Sequence, residues 1–236
     1  MEAKDHSTAF TISNRSNEPV YDCSGRGHNS VDRGNLIVKS NSSRNSYYTH
    51  FTPDNAIKIP SPYGSTTYQM TDFSVAMWIN LTDAASSLKS IFTTRYGENS
   101  SGQAGWLSVN TEGKTLWFHN SKYHGAGSTA LPANEWHHIA ITYKNGTAQW
   151  YLDGEIFGNP ITDDLGYVNA YSFFSLGDAY TKNTTTSWYG SPFTGAISDF
   201  RFYGTAIPAT IIKDLYKNSA TIDSQGNIHA FEYMEV

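Results

Sequence analysis

The chain has 236 residues, enough for one large domain with a core that needs no disulfide or metal to hold it. Its formal net charge is -5 and it has no run of like charge, which argues against nucleic acid or an anionic membrane as a partner. No apolar stretch reaches the roughly 18 residues of a membrane span, and Cys23, the only cysteine, excludes a disulfide within the chain.

The first half of the chain shows a series of short β patterns. Aromatic residues make up 14% and charged residues only 16%, a balance that favours half-buried strands over helices. The strongest pattern is 73–81, where Phe73, Val75, Met77 and Ile79 share one face. The other predicted strands of this half are 9–12, 37–38, 56–59, 91–95, 105–110 and 115–120.

The second half contains the clearest hairpin. Strands predicted at 136–143 and 147–152 flank Asn145-Gly146, a pair typical of a tight turn, and Asp153-Gly154 predicts another. Further strands are predicted at 155–157, 173–176 and 196–203, and a single helix at 208–216. Two polar stretches, 26–48 and 179–192, are interpreted as long loops. Short strands at regular spacing predict an all-β sandwich.

Three motifs in order resemble the concanavalin A-like, laminin G-like family. They are YDCSGRGHN at 21–29, EWHHIAITYKNGTAQWYLDG at 135–154 and FTGAISDFRFYGTAIPATIIKDLY at 193–216. The resemblance covers 19–216 and implies a two-sheet antiparallel jelly roll with one short C-terminal helix. Members of that family mostly bind glycans or proteins. We therefore expect an N-terminal segment at 1–18, the sandwich at 19–217 and a C-terminal hairpin or tail at 218–236.

The tail adds a second resemblance. Residues 218–235 are similar to the ends of such domains in structural proteins of tailed bacteriophages. This implies a homo-oligomer on the virion surface, exposed to the extracellular medium, whose partner is a cell-surface glycan or another virion protein. The leading hypothesis is a binding domain for host-surface carbohydrate. The alternative is a structural module that joins virion proteins and binds no sugar.

The family resemblance also implies one structural Ca²⁺ ion and no other cofactor. By motif position its ligands would be Asp22, Asp199 and Asn29, since Ca²⁺ prefers carboxylate and carbonyl oxygens. The alternative to calcium ligation is an ion pair of Asp199 with Arg201 or Arg26. His137 and His138 are adjacent on a strand and point to opposite faces, so they do not chelate one ion together.

Sugar recognition combines aromatic faces with amide and hydroxyl groups. Three stretches of the sequence combine these residue types outside the strongest strand patterns. The residues predicted to bind ligand are Trp188, Tyr189, Tyr180, Asn183, Tyr123, His124 and Trp106. Trp78, Trp136 and Trp150 lie on strands and are assigned to the core.

The sequence favours binding without catalysis. Glycosidases need two carboxylates flanking the scissile bond, and the sandwich hydrolases place acids in an E-x-D-x-x-E pattern that does not occur here. The nearest pair, Asp153 and Glu155, includes a turn position. A glycoside hydrolase is therefore the less favoured alternative, and we expect no catalytic residues.

Overall fold

The structure, a computed structural model, describes most of the second half of the chain and parts of the first. It covers residues 12–13, 21–22, 31–33, 37–41, 44, 46–64, 66–82, 89–95, 105–109, 116–120, 123–126, 131–177, 191–219, 221–222 and 228–229. In chain order the strands are β1 (Ile12–Ser13), β2 (Tyr21–Asp22), β3 (Val31–Arg33), β4 (Ile37–Asn41), β5 (Ser46–Phe51), β6 (Ala56–Pro60), β7 (Tyr68–Met70), β8 (Asp72–Leu81), β9 (Lys89–Thr93), β10 (Trp106–Val109), β11 (Leu116–His119), β12 (Tyr123–Gly125), β13 (Trp136–Lys144), β14 (Thr147–Leu152), β15 (Glu155–Thr162), β16 (Val168–Ala170), β17 (Phe173–Leu176), β18 (Ser191–Pro192), β19 (Gly195–Tyr203), β20 (Thr221–Ile222) and β21 (Ile228–His229). The helix α1 spans Ala209–Lys217.

Two large sheets form the sandwich. One has seven strands in the order β15-β14-β13-β8-β19-β5-β4, all antiparallel. The other has the order β12-β11-β10-β9-β17-β6-β3, with β18 added in parallel to β9. The pairs β1-β2, β7-β16 and β20-β21 form three small two-stranded sheets. The predicted two-sheet all-β architecture with one short helix is confirmed.

The core lies between the two large sheets. The predicted inward face of β8 is confirmed, since Phe73, Val75, Met77 and Ile79 are each 1% exposed. Their neighbours on β13, such as Ile139 and Ile141, point into the same layer. Burying each such side chain contributes about 1.5–3 kcal/mol, so this layer fixes the register of the central strands.

The two predicted tight turns also form. Asn145 and Gly146 have φ values of 46° and 84°, and Asp153 and Gly154 have 50° and 82°. Positive φ at both central residues matches the right-handed twist of the strands that they connect, and Asn, Asp and Gly tolerate it.

The helix covers part of the outer face of the seven-stranded sheet. Ile212 and Leu215 are buried against Ala76, Ala140 and Tyr203 in a second, smaller apolar cluster. The hydroxyl of Ser74 donates to the carbonyl of Thr205 at 2.8 Å and accepts from the amide of Ile207 at 3.0 Å, which fixes the segment that leads into the helix.

Among the described residues, no helix combines the length and apolar character that a membrane crossing requires.

The stretch 26–48 is not the long loop that its composition predicts. It contains β3, β4 and the start of β5, and both β3 and β4 lie at sheet edges. Edge strands have one solvent-facing side and so tolerate Ser, Asn and charged residues. Of the predicted loop 179–192, only Ser191–Pro192 falls in the described part of the chain, where it forms β18.

Two glycines with the same backbone conformation test the packing of this core. Gly177 and Gly64 have φ values of 87° and 88°. A Cβ atom at Gly177 would lie 2.1 Å from the ring of buried Phe51, whereas one at Gly64 would have no heavy atom within 4 Å.

We therefore expect Gly64→Ala to cost roughly 1 kcal/mol of unfolding free energy, the penalty of the left-handed conformation alone. Gly177→Ala should cost roughly 2–4 kcal/mol, because overpacking adds to that penalty. Urea denaturation of both variants measures the difference. Equal costs would contradict the described packing of Phe51 against Gly177.

Candidate functional site

Four of the predicted sugar-binding residues, Trp188, Tyr189, Tyr180 and Asn183, lie outside the described residues. The structure therefore leaves their part in binding as a prediction.

Strand pairing brings two other predicted positions together. Trp106 on β10 pairs with His119 on β11, and His119 pairs with Tyr123 on β12. His124, half-buried, pairs with Phe118. Trp106 and Tyr123 thus occupy one row at the edge of the eight-stranded sheet, with a single strand between them.

A denser aromatic cluster lies on the outer face of the seven-stranded sheet. We call it the tryptophan face and define it as Trp78, Trp136, Tyr48, Tyr216 and His138. The Tyr48 and Trp136 rings meet edge to face with centroids 5.4 Å apart, and Trp78 stacks on Tyr216 at 5.5 Å. His138 is 3% exposed and lies 5.4 Å from Trp78, whereas the other four side chains are half-buried. The face thus presents aromatic surface beside the helix.

The assignment of Trp78 and Trp136 to the core was wrong, whereas Trp150 is buried in it at 1% exposure. The signal for the correct assignment was present in the sequence. Trp78 alternates with the inward residues Met77 and Ile79, so the period of two places it on the opposite face.

The guanidinium of Arg44 covers this face. Arg44 lies between β4 and β5, and its Cζ is 3.3 Å from the centroid of the Trp78 ring and 5.5 Å from that of Trp136. Both terminal nitrogens, Nη1 and Nη2, are buried, and none of the described residues accepts a hydrogen bond from them. Burial lowers the pKa of Arg44 to about 10, although the nearby Asp199 carboxylate acts in the opposite direction. The side chain remains a cation at neutral pH.

A buried ion pair lies on the adjacent strand. Arg201 donates from Nε to Oδ1 of Asp199 at 2.8 Å and from its second terminal nitrogen to Oδ2 at 3.1 Å. The register of β19 shifts between Ser198 and Arg201, and Asp199 has a φ of 50°, so a bulge places the two side chains together. Burial alone would lower the pKa of Arg201, but the Asp199 carboxylate outweighs it and raises that pKa.

This ion pair bears on the calcium prediction. Both carboxylate oxygens of Asp199 accept from Arg201, so a cation ligated there would lie close to the positively charged guanidinium, which disfavours its binding. Within the described residues, no cluster of three acidic, histidine or cysteine side chains is placed to hold a metal. The Asp22 side chain and Asn29 lie outside the description. The calcium site stays a prediction, and thermal melts in Ca²⁺ and in EDTA test it.

The adjacent histidines lie on opposite faces, as predicted. Nδ1 of His137 is 2.9 Å from Oδ2 of Asp153, whose Oδ1 accepts the amide of His138 at 2.8 Å. The hydrogen bond to Asp153 raises the pKa of His137. Burial lowers the pKa of His138 to about 4. Both side chains pack within the fold, and their shifted pKa values make the free energy of unfolding depend on pH.

The sign of the His138 effect follows from its lowered pKa. The unfolded chain binds a proton at this residue below about pH 6.5, and the folded chain does so only near pH 4, so folding loses stability as the pH falls between these values. We expect the protonation of His138 to lower the free energy of unfolding of the wild type by up to about 3 kcal/mol between pH 6.5 and pH 4.

His138→Leu, which cannot be protonated, should lose correspondingly less in urea denaturation series at pH 6.5 and pH 4. His137 acts in the opposite direction, because its raised pKa stabilises the fold at low pH, but it is present in both proteins and cancels in the comparison. Identical losses in the two proteins would contradict the burial of a neutral imidazole.

The acidic pair Asp153 and Glu155 has structural partners, and so does the buried Asp163. Asp153 occupies its turn and bonds to His137, while Glu155 pairs with Lys213 on α1. Asp163 is 5% exposed and accepts from the hydroxyl of Tyr143 at 2.9 Å.

Comparison with known proteins agrees with this architecture. Residues 51–213 match the model of a family described as the concanavalin A-like lectin/glucanases superfamily. No curated protein matches the sequence.

Three solved structures illustrate the likeness in fold. Domain 4 of AbnA, a GH43 extracellular arabinanase from Geobacillus stearothermophilus in complex with arabinotriose, is 18% identical with a TM-score of 0.62, covering 89% of this chain and 98% of that one. A structure of botulinum neurotoxin type C, whose cell entry is dependent upon interaction with two ganglioside molecules, is 15% identical with a TM-score of 0.63, covering 89% and 51%. The binding domain of botulinum neurotoxin DC, in complex with rat synaptotagmin II, is 15% identical with a TM-score of 0.63, covering 92% and 54%. The chain thus spans about half the length of the toxin structures, and at these identities the likeness concerns the fold alone.

Proposed function

The chain belongs to the concanavalin A-like lectin/glucanases superfamily, and we propose that it is a carbohydrate-binding domain that uses the tryptophan face. The observation that carries this proposal is the half-buried group of Trp78, Trp136 and Tyr48 on the outer surface of a rigid sheet. Aromatic faces pack against the C–H edges of sugars, and half-buried rings on strands are already held in one orientation.

The similar structures support a sugar ligand. The arabinanase domain was solved with arabinotriose, and the type C neurotoxin depends on two gangliosides for cell entry. The neurotoxin domain in complex with synaptotagmin II makes a protein ligand the alternative. The small extent of these half-buried rings favours the sugar, because a protein partner of ordinary size would need a wider apolar patch than they supply.

Binding without catalysis is part of the proposal. Asp153, Glu155 and Asp163 each have a structural partner, so none of them faces the rings as one of a free carboxylate pair. Glycoside hydrolysis needs two such groups on either side of the sugar bond.

We also propose that the domain belongs to a virion protein. Its support is the similarity of 218–235 to the tails of bacteriophage structural proteins, together with the pairing of β20 and β21 in that segment. We propose a homo-oligomer displayed on the virion surface. Several weak sites on one particle would raise the overall affinity for a host surface by avidity.

The test is a glycan array probed with the domain as a streptavidin-linked tetramer, followed by calorimetry on the sugars that bind. Trp136→Ala should weaken binding by roughly 30-fold, as expected for loss of a central aromatic contact worth about 2 kcal/mol.

Tyr68→Ala is the matched control, since Tyr68 is 43% exposed, stacks on Tyr63 at 4.4 Å and lies on β7, away from the tryptophan face. It should bind like the wild type. An array that stays blank for the tetramer, or a loss in Tyr68→Ala with none in Trp136→Ala, would refute the proposed site.

A further inference from the structure

We infer that the ligand of the tryptophan face is an acidic carbohydrate, whose carboxylate pairs with Arg44 while its ring packs on Trp136 and Tyr48. This inference rests on the proposed function and specifies the class of sugar.

Arg44 is a cation whose buried terminal nitrogens lack acceptors among the described residues. A guanidinium carries five N–H donors, and a buried donor without an acceptor is destabilising, more so when it is charged. Within the described part of the chain, Nη1 and Nη2 of Arg44 are buried and have no acceptor. The Trp78 ring offers a cation–π contact at 3.3 Å but accepts no conventional hydrogen bond. An anion would supply the missing acceptors.

The carboxylate that attracts Arg44 is already hydrogen-bonded to another guanidinium. Asp199 attracts Arg44 through space, yet its two oxygens accept from Arg201 at 2.8 and 3.1 Å. Arg44 therefore shares the charge of this carboxylate with Arg201, and none of the described residues supplies an acceptor to its terminal nitrogens. The imidazole of His138 adds no positive charge at neutral pH, because burial lowers its pKa to about 4.

Charged residues also surround the tryptophan face. Lys39 on β4 is exposed and pairs in register with Tyr48. The pKa of His50 is lowered mainly by burial and further by the positive charge of Lys39. On the opposite side, Asp153 bonds to His137, and Glu135 lies 3.9 Å from the same ring. Lys39 and Arg44 thus make the β4–β5 side of the face positively charged, which favours an anionic ligand at that side.

The proposed contact requires a rotation of the Arg44 side chain. Its terminal nitrogens, buried over Trp78, would turn toward the surface and exchange the cation–π contact for the carboxylate. A guanidinium binds a carboxylate through two parallel hydrogen bonds, which a lysine cannot reproduce. Trp136 and Tyr48, with centroids 5.4 Å apart, would then flank the sugar ring.

The experiment compares uronic- and sialic-acid oligosaccharides with the same molecules after reduction of the carboxyl group to an alcohol. Calorimetry should show that an acidic form binds the wild-type domain at least about 10-fold more tightly than its reduced partner, as expected for a charge-assisted pair. Arg44→Gln should abolish that preference, and Arg44→Lys should retain only part of it.

Lys58→Gln is the matched control. Lys58 also lies over an aromatic ring, 3.8 Å from the centroid of Phe173, but it belongs to the eight-stranded sheet. This variant loses the same charge and should keep the preference, and thermal melts confirm that each variant is folded.

Equal binding of acidic and reduced forms, or a preference that survives in Arg44→Gln, would overturn the inference and leave the proposed function standing. Failure of every sugar to bind, acidic or neutral, would overturn both.

Discussion

The nine-residue pairing of β8 with β13 is the constraint on which the rest of the structure depends. It runs without a shift from Trp136 opposite Asn80 to Lys144 opposite Asp72. Because side chains alternate along a strand, this single register sends Met77 and Ile139 into the core and Trp78 and His138 to the outer face. A slip of one residue would bury the aromatic face and expose the core, so fold and candidate site are specified together.

The electrostatics of the outer face follow from the neighbouring strands. The bulge in β19 brings Asp199 and Arg201 into a buried pair, and the connection between β4 and β5 places Arg44 over Trp78. A buried ion pair adds little net stability, because desolvation offsets much of the attraction. In this ion pair both Asp199 oxygens accept hydrogen bonds from Arg201. The sequence offered Asp199 either as a calcium ligand or as the partner of an arginine, and the structure shows the pairing with Arg201, which disfavours a cation at the same oxygens.

Much of the fold could be predicted from the sequence, because alternation and turn residues are local signals. The strand at 73–81 and the turns at Asn145-Gly146 and Asp153-Gly154 formed as predicted. The edge strand β3 was not predicted and β4 was predicted only at 37–38, since solvent-facing edges tolerate polar residues. The tryptophan face was missed because it draws on four strands or helices far apart in the chain. The position of Arg44, in a polar stretch, carried no local signal of a contact with Trp78.

The central claim is that ligand binds on the outer face of the seven-stranded sheet. The chain contains six tryptophans, so the indole N–H resonances in an NMR titration with a binding oligosaccharide report on six separate positions. We expect the Trp78 and Trp136 signals to shift with ligand, while that of Trp150, buried in the core, stays in place. Shifts confined to Trp106 and Trp117 would place the site at the edge of the eight-stranded sheet and refute binding at the tryptophan face.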